Sequence, residues 1–409
     1  MYMPINILYL SYDGMTDPLG QSQVLPYLIG LTKKGFRFHL ISFEKEDRFS
    51  KFREEIQAIC DQNQIIWHPL SYTKRPPLIS TIWDVIRMRK KAFQLHRVFN
   101  FSLIHCRSYI SALIGQMMQR KWGIKFLFDM RGFWADERID GNIWSLNNPV
   151  FKLVYNFFKR KEKEFFLESD YVVSLTYNGK NEISSWPGFE HLKNKIQVIP
   201  CCADLEKFNP QKINLEKKNA FKIELDLNES DFVLGYVGSI GTWYMLDEML
   251  GFFKVLLKSK PNAIFLFVSG ENPKIILSKA AELGISEDRI RVKSVLHHDV
   301  ATCISLFSAS IFFIRPTFSK KASSPTKQGE LMAMGVPVIC NSGVGDTERV
   351  VREYHSGLVI EDFIDESYQL ADLSFSDFDR TRTMQGAAEF YGLNEGVERY
   401  FNVYQKLIG

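Results

Sequence analysis

The six cysteines, Cys60, Cys106, Cys201, Cys202, Cys303 and Cys340, show no Cys-x-x-Cys spacing. They read as free thiols of a reducing compartment, which excludes a disulfide frame and argues against a thiolate zinc site. No uninterrupted apolar run reaches the ~18 residues that a membrane-spanning helix needs. No basic segment leading an apolar core opens the chain either. A membrane span and a secretory leader are therefore not expected, and a cytoplasmic protein is. A formal charge of +4 over 409 residues is too small for nucleic acid to be the main partner. Low-complexity tracts are missing as well.

What is present is an ordinary globular composition, 45% hydrophobic, in a chain long enough for two domains. Both halves alternate strand-like apolar runs with helical spacing, as in parallel α/β sheets. Residues 5–11 read as a buried strand, followed by a turn-rich loop with Asp13, Gly14, Asp17, Pro18 and Gly20. Val24, Leu25, Leu28 and Leu31 then fall at helical spacing up to Gly35, and 36–43 form the next strand. This opening lacks a Gly-x-Gly-x-x-Gly fingerprint, so a dinucleotide is not indicated. Further strands are expected at 101–105, 126–130, 170–175 and 196–200, ahead of a polar linker over 209–219. In the second half they fall at 232–237, 263–269, 289–292 and 311–314.

Ligands of open α/β sheets bind beyond the carboxyl ends of the strands, so residues there are candidates for chemistry. His105 and Arg107 end one such strand. Asp129 ends another and is followed by Arg131. A carboxylate in that place is costly unless it is paired or faces a cleft. Two readings follow: Asp129 orients an acceptor hydroxyl while Arg131 faces phosphate, or an internal pair forms, Asp129–Arg131 or Asp136–Arg138. Residues 159–164, a dense charge run on a helix over 150–169, are expected to be a solvated face. Residues 74–97 carry Lys74, Arg75, Arg87, Arg89, Lys90, Lys91 and Arg97 against Asp84, a net +6. Leu78, Ile79, Ile82, Trp83 and Ile86 form an apolar stripe in the same segment. Such a helix either lies on an anionic bilayer or covers a core with its stripe.

The densest stretch is 315–343. Ser323 or Ser324 suits a helix N-cap, Pro325 the first helical position and Gly335 the end, and 336–340 suits a buried parallel strand. A helix start attracts phosphate, Lys327 adds a full charge in the first turn, and Glu330 follows at i+3 on the same face. A cation for a diphosphate beside a carboxylate for sugar hydroxyls meets the needs of a nucleotide-sugar. A capped surface helix with a Lys/Glu pair is the plain alternative. Gly238-Ser239-Ile240-Gly241 is a second candidate, a glycine turn ahead of a helical run that lets backbone approach a diphosphate. Trp243, just after it, suits core packing or a base or sugar.

Glu330 with Ala333, Gly335, Pro337, Val338 and Ile339 resembles the donor-binding stretch of the retaining GT-B glycosyltransferases, family 4-like, glycosyl transferases group 1. That family includes bacterial polysaccharide and lipopolysaccharide assembly enzymes. The Ser-Pro-Thr-Lys run before Glu330, and the 131–138 run, resemble a bacterial subset of it. Residues 199–208 resemble the family's exit from its first domain. The resemblance implies an α/β GT-B fold of two doubly wound Rossmann-like domains facing a central cleft. Residues 1–205 would be the acceptor side, 206–385 the nucleotide-sugar side, and 386–409 a C-terminal helix packing back on the first domain. It further implies that Glu330 grips the ribose and that the Gly20–Gln21 loop, with Arg107, faces the acceptor side of the cleft.

The departures from the family are specific. Its other glutamate, eight positions before Glu330, is Ala322 here, and a histidine common two places after His105 is Arg107. The arginine and lysine that hold the diphosphate are replaced by Ser239 and Tyr244. Lys327, helped by Arg315, Lys320 or Lys321, then has to neutralise the phosphates. The expected catalytic set is Lys327, Glu330, Asp129 and Arg131. The donor set is Gly238, Ser239, Arg315, Ser324, Thr326, Lys327 and Glu330. The implied activity moves a sugar from a UDP- or GDP-linked donor to a glycan or lipid-linked hydroxyl, with retention, in cell-surface polysaccharide synthesis. No metal and no resident cofactor are expected, and 74–97 would touch an anionic membrane at the inner face of the plasma membrane. Two other classes stay open. One is a non-catalytic nucleotide-sugar-binding subunit of a glycan assembly complex, for which the missing residues argue. The other is a GT-B epimerase or phosphorylase.

Overall fold

The computed structural model describes residues 4–373 and 378–409. They divide into two α/β units, Met1–Pro200 with Gly396–Gly409, and Cys201–Glu395. The first unit is built on a seven-stranded parallel sheet: β1 (Ile5–Ser11), β2 (Phe36–Glu44), β3 (Ile65–Ser71), β4 (Leu103–Arg107), β5 (Lys125–Asp129), β6 (Tyr171–Ser174) and β7 (Ile196–Val198). The strand order is β3-β2-β1-β4-β5-β6-β7. Ile7, Leu8, Leu10, Phe38, Leu40, Ile104, Leu127 and Phe128 are fully buried. Burial on both faces explains why these strands read as continuous apolar runs instead of alternating ones. Register sets Ser11 beside Arg107 and Arg107 beside Asp129. The carboxyl ends of β1, β4 and β5 therefore adjoin where the strand order reverses, the place open sheets reserve for ligands.

Seven helices of this unit matter below: α1 (Pro18–Gln23), α2 (Leu25–Thr32), α3 (Glu46–Gln62), α4 (Ile79–Phe99), α5 (Ser108–Trp122), α6 (Trp134–Asp140) and α7 (Pro149–Glu168). Their ends follow local chemistry. Asn100 closes α4 in the left-handed conformation, and Gly123 does the same for α5. Asn148 opens α7, its side chain accepting from Val150 N and Phe151 N, with Pro149 in the first position. The C-terminal helix, Leu393–Ile408, buries Tyr400 and Tyr404, and the Tyr404 ring lies 5.1 Å from Phe36 and 6.3 Å from Phe38. Gly30 of α2 makes that approach possible, since a Cβ there would stand 2.5 Å from a Val397 methyl.

Two sequence expectations are corrected here. Gly20 and Gln21 lie inside α1, not in a loop, because Pro18 starts the helix a turn before the apolar periodicity does. The 159–164 run is not a wholly solvated face. Glu162 is buried, accepts from the Tyr109 hydroxyl and pairs with Lys159, which also donates to Asp136 at 2.7 Å. Lys159 and Glu162 are one turn apart on the α7 face turned toward the core, while Arg160 and Lys163 stay exposed.

The second unit carries a six-stranded parallel sheet: β8 (Val233–Val237), β9 (Ile264–Val268), β10 (Ile290–Lys293), β11 (Ala309–Phe312), β12 (Val338–Asn341) and β13 (Gly357–Ile360). Its order is β10-β9-β8-β11-β12-β13, so the reversal falls between β8 and β11. A helix over Thr326–Ala333 leads into β12. Its N-cap is Pro325, one residue later than the sequence suggested, and neither serine caps it. Ser324 instead uses its hydroxyl to accept from Cys201 N at 3.1 Å. Gly335, at φ +68°, ends this segment as expected. Within 209–219 the helix Leu215–Glu224 begins, capped by the Asn214 side chain.

Candidate functional site

In the second unit the candidate donor residues converge at the switch point between β8 and β11. Gly238 follows β8 directly, at φ +108°, a conformation that only glycine adopts without strain. Its N–H donates to Val268 O at 2.9 Å, which fixes the turn to the neighbouring strand. Lys327 reaches across from the first turn of its helix, and a Cβ on Gly238 would stand 3.3 Å from the Lys327 Nζ. The glycine thus leaves room for the ammonium group and for whatever it holds.

Lys327 is only 9% exposed, and its Nζ makes no hydrogen bond among the described residues. It lies 3.7 Å from the Tyr244 ring centroid and 4.2 Å from that of Tyr236. Ring faces attract a cation but satisfy none of its three N–H donors. Burial pushes the ammonium well below its ordinary pKa, with only the Glu330 carboxylate opposing. Glu330 is itself raised to about 7, by burial, against the pull of Lys327 and Lys207. An anion with several acceptor oxygens would satisfy the Lys327 N–H donors and favour its charged form.

The other members of the donor set sit around this pair with varied involvement. Thr326 opens the helix and is half-buried. Ser324 is engaged by Cys201. Ser239 is exposed, and its carbonyl accepts from the Tyr236 hydroxyl at 2.6 Å, which holds that ring in place. Arg315 is exposed and tied through its backbone N to Trp243 O at 2.9 Å. Trp243 packs against the core and carries Lys320 3.6 Å above its ring. Three contributors were not foreseen: Tyr236, Tyr244 as a ring under the cation, and Lys207. Burial depresses the Lys207 pKa, Glu330 counters it, and Lys207 bonds His297. Tyr244 appears in the sequence only as a lost lysine, and Tyr236 only as a strand residue.

At the switch point of the first sheet the picture is different. Asp129 is 1% exposed; Tyr400 donates to its Oδ2 at 3.0 Å, and the His105 Nε2 lies 3.4 Å from the same oxygen. The other ring nitrogen of His105 meets the Tyr404 hydroxyl at 2.7 Å. Arg131 stands 3.8 Å from Asp129 Oδ1. Burial alone would raise the Asp129 carboxyl, but Arg131, His105 and Arg107 together hold it below its ordinary value. The internal pairing of Asp129 with Arg131, one of the two readings, is present at ion-pair distance. Asp136 is bonded to Tyr155 and Lys159, not to Arg138. Arg131 sits at φ +59°, backbone strain that an arginine adopts only when its surroundings impose it.

Arg107, 3% exposed, spans the β1–β4 gap, its Nε 3.3 Å from Asp13 Oδ2, and its Nη1 has no hydrogen-bond partner among the described residues. The loop it meets is held from below by Glu44, which accepts from Met15 N at 2.8 Å and Thr16 N at 3.0 Å. Gln21 donates to Thr16 O at 3.1 Å, and Gly20 lies against the Gly14 carbonyl, 2.2 Å from where its Cβ would be. Gly20, Gln21 and Arg107 thus border one loop at the carboxyl edge, whereas Asp129 is turned inward.

Comparison with known proteins gives the following. Residues 24–207 match the family model Glycosyltransferase Family 4, and 217–374 match Glycosyl transferases group 1. A D-inositol 3-phosphate glycosyltransferase of Segniliparus rotundus is 24% identical over 279 residues, 67% of this chain and 58% of that one. The corresponding protein of Rhodococcus erythropolis is 22% identical, over 65% and 58% of the two chains. The chain thus spans 58% of the length of these curated relatives. Among solved structures, a glycosyltransferase from Rickettsia africae superposes with a TM-score of 0.71 at 15% identity, covering 100% of this chain and 99% of the other. HepE of Anabaena, solved with UDP-glucose, gives 0.69 at 11% identity, over 98% and 100%. These likenesses show the GT-B fold.

Proposed function

From a chain that belongs to the GT-B glycosyltransferases of group 1, we propose a glycosyltransferase that moves a sugar from a UDP- or GDP-linked donor to a glycan or lipid-linked hydroxyl, with retention, in cell-surface polysaccharide synthesis. The observation that carries the donor half is Lys327, a buried ammonium without a hydrogen-bond partner beside the glycine turn at Gly238. A diphosphate supplies the missing acceptors, and its charge grows as the sugar departs, so a fixed cation there favours the transition state over the ground state. Lys327 comes from a different element than the family's lysine, yet it lies over Tyr244, the residue standing in that lysine's place. On this reading it neutralises the diphosphate without a metal ion, and Glu330, three residues on, accepts from the ribose hydroxyls.

On the acceptor side Arg107 is the leading candidate, with Arg131 beside it. The curated relatives act on an acceptor that carries a phosphate, as their name says, and two guanidiniums at one sheet edge suit a phosphate or diphosphate on the acceptor here. Asp129 serves as a positioning residue for Arg131. No helix among the described residues is long and apolar enough to cross a membrane. A lipid-linked acceptor would be met at the inner membrane face through 74–97. Ala322 and Ser239, where the family has Glu and Arg, favour a second reading, a nucleotide-sugar-binding subunit without turnover.

The deciding experiment is a thermal-shift titration of the wild type and Glu330→Ala with UDP and GDP. A ligand that binds only the native state raises the melting temperature by mass action. A shift with one nucleotide, lost in Glu330→Ala, supports the donor site. No shift with either nucleotide sinks it. Transfer to a matched acceptor then separates an enzyme from a binding subunit.

A further inference from the structure

The exposed large apolar side chains of the first unit include two groups at helix starts, besides scattered ones such as Val98 and Phe99 at the end of α4 and Leu167 at the end of α7. Ile79, Ile82 and Trp83 at the start of α4 are 65%, 61% and 55% exposed, with Ile86 behind them. Val150 and Leu153 at the start of α7 are 52% and 71% exposed, and Ile143 and Leu146 in the preceding loop are exposed too. The apolar stripe of 78–86 is therefore no core face, and the second cluster was not singled out in the sequence.

The topology brings the two together. α4 has 21 residues and α7 has 20, each about 30 Å long at ~1.5 Å per residue. Their last residues, Phe99 and Glu168, lie three and two residues before β4 and β6, so both helices end at the amino edge of the sheet. Strands β4, β5 and β6 have four or five residues, about 13–17 Å at ~3.3 Å each, and β3, from which the chain enters α4, has seven, about 23 Å. The first two turns of both helices must therefore overhang the carboxyl edge, and those turns carry the exposed side chains. α5, packed between α4 and α7, is shorter, and Tyr109, Ile110 and Ala112 in its opening turn are buried. With helix axes roughly 8–10 Å apart, the two overhanging tips stand about 20 Å from each other.

The charge around the first tip has one sign. Lys74, Arg75, Arg89 and Lys90 are exposed. Asp84, the sole acid of 74–97, is fully buried and turned inward to Tyr12 and Thr73. Protein interfaces are depleted of lysine at their core, whereas isoleucine and tryptophan tips flanked by lysine and arginine suit an anionic lipid surface.

We propose that the carboxyl edge of the first sheet docks on an anionic bilayer through two apolar prongs, Ile79/Ile82/Trp83 of α4 and Val150/Leu153 of α7 with Ile143 and Leu146. This extends the membrane contact of the reading above to a second element and rests on that reading only for its purpose, since binding to lipid needs no substrate. A helix tip buries its apolar residues about 5–10 Å deep, and two tips on one rigid unit fix its orientation at the surface.

The test is co-sedimentation of the full chain with phosphatidylcholine vesicles, with and without phosphatidylglycerol. The wild type is expected to bind the anionic vesicles and to release at high salt. Ile82→Ser/Trp83→Ser should weaken binding at least about tenfold and Leu153→Ser about threefold or more, as loss of inserted apolar area requires. All these side chains are exposed, so the variants should keep the wild-type melting temperature and any wild-type UDP or GDP shift. A wild type that stays in the supernatant overturns the proposal. So does self-association in gel filtration that the same substitutions abolish, which assigns the surface to a protein contact. Leu153→Ser binding like the wild type removes the second prong. A missing nucleotide shift alongside normal vesicle binding counts against the donor site instead.

Discussion

The two sheets present buried charge at the same topological place and treat it in opposite ways. At the first, Asp129 Oδ2 is held by His105 and Tyr400, while its Oδ1, without a hydrogen bond among the described residues, faces the Arg131 guanidinium 3.8 Å away, and the carboxyl is held below its ordinary pKa. At the second, Lys327 is nearly as buried, has ring faces for company, and is pushed well below its ordinary value. A buried charge with its partners in place is a structural element; a buried charge lacking them is a cost that a ligand can relieve.

Removing the paired charge should have the largest effect. Asp129→Ala removes the carboxylate that faces Arg131 and strips partners from His105 and Tyr400, and the expected loss is about 3–5 kcal/mol of unfolding free energy. Urea denaturation reads it directly, and an unchanged midpoint would erase the contrast. The second effect belongs to Glu330 and depends on pH. Its carboxyl is raised from 4.5 to about 7 in the folded protein. A raised carboxyl contributes stability fully below its unfolded value and loses it as pH rises through the folded one. Wild type should therefore lose stability relative to Glu330→Gln between pH 4.5 and about 7, by about 3 kcal/mol at pH 8. Parallel melting curves for the two proteins across that range would show that Glu330 ionises normally.

Much of this was legible in the sequence, for reasons that differ by element. The parallel sheets were readable because strands buried on both faces leave unbroken apolar runs, as in β8 and β9. Lys327 and Glu330 were readable as a pair because i+3 spacing puts them on one helical face. The surroundings that decide their behaviour were not, since Tyr236 arrives from β8 and Tyr244 from the loop beyond it. Asp129 was ambiguous because its partner Tyr400 lies 271 residues away. The α1 start was missed through weighing Gly20 as a turn residue when Pro18 was already a helix-start signal. Whether the apolar stripe of 78–86 covers the core turned on exposure, which periodicity alone does not report.

Lys327→Met comes third. Methionine keeps the length and removes the charge, so sugar transfer should fall at least about tenfold, ~1.4 kcal/mol, while stability holds or rises. Full turnover with matched substrates would refute the assignment of Lys327, and a collapse in stability would place it with Asp129 as a structural charge.

The smallest effect is also the most specific. Tyr244 lies under Lys327, and the sequence resemblance implies a diphosphate-binding lysine at its position, so the two positions are proposed to serve one point in space. Tyr244→Leu removes a ring face and should weaken nucleotide binding only severalfold, in keeping with about 0.5–1 kcal/mol for such a contact. The double variant Lys327→Met/Tyr244→Lys should then recover part of the affinity that Lys327→Met loses, because the ammonium returns to the same region from the opposite element. Titration of the nucleotide that shifts the wild type measures all three. If the double variant binds no better than Lys327→Met, the cation is needed where Lys327 alone can place it, at the helix start beside Gly238. The departure from the family would then be a rebuilt site, not a relocated charge.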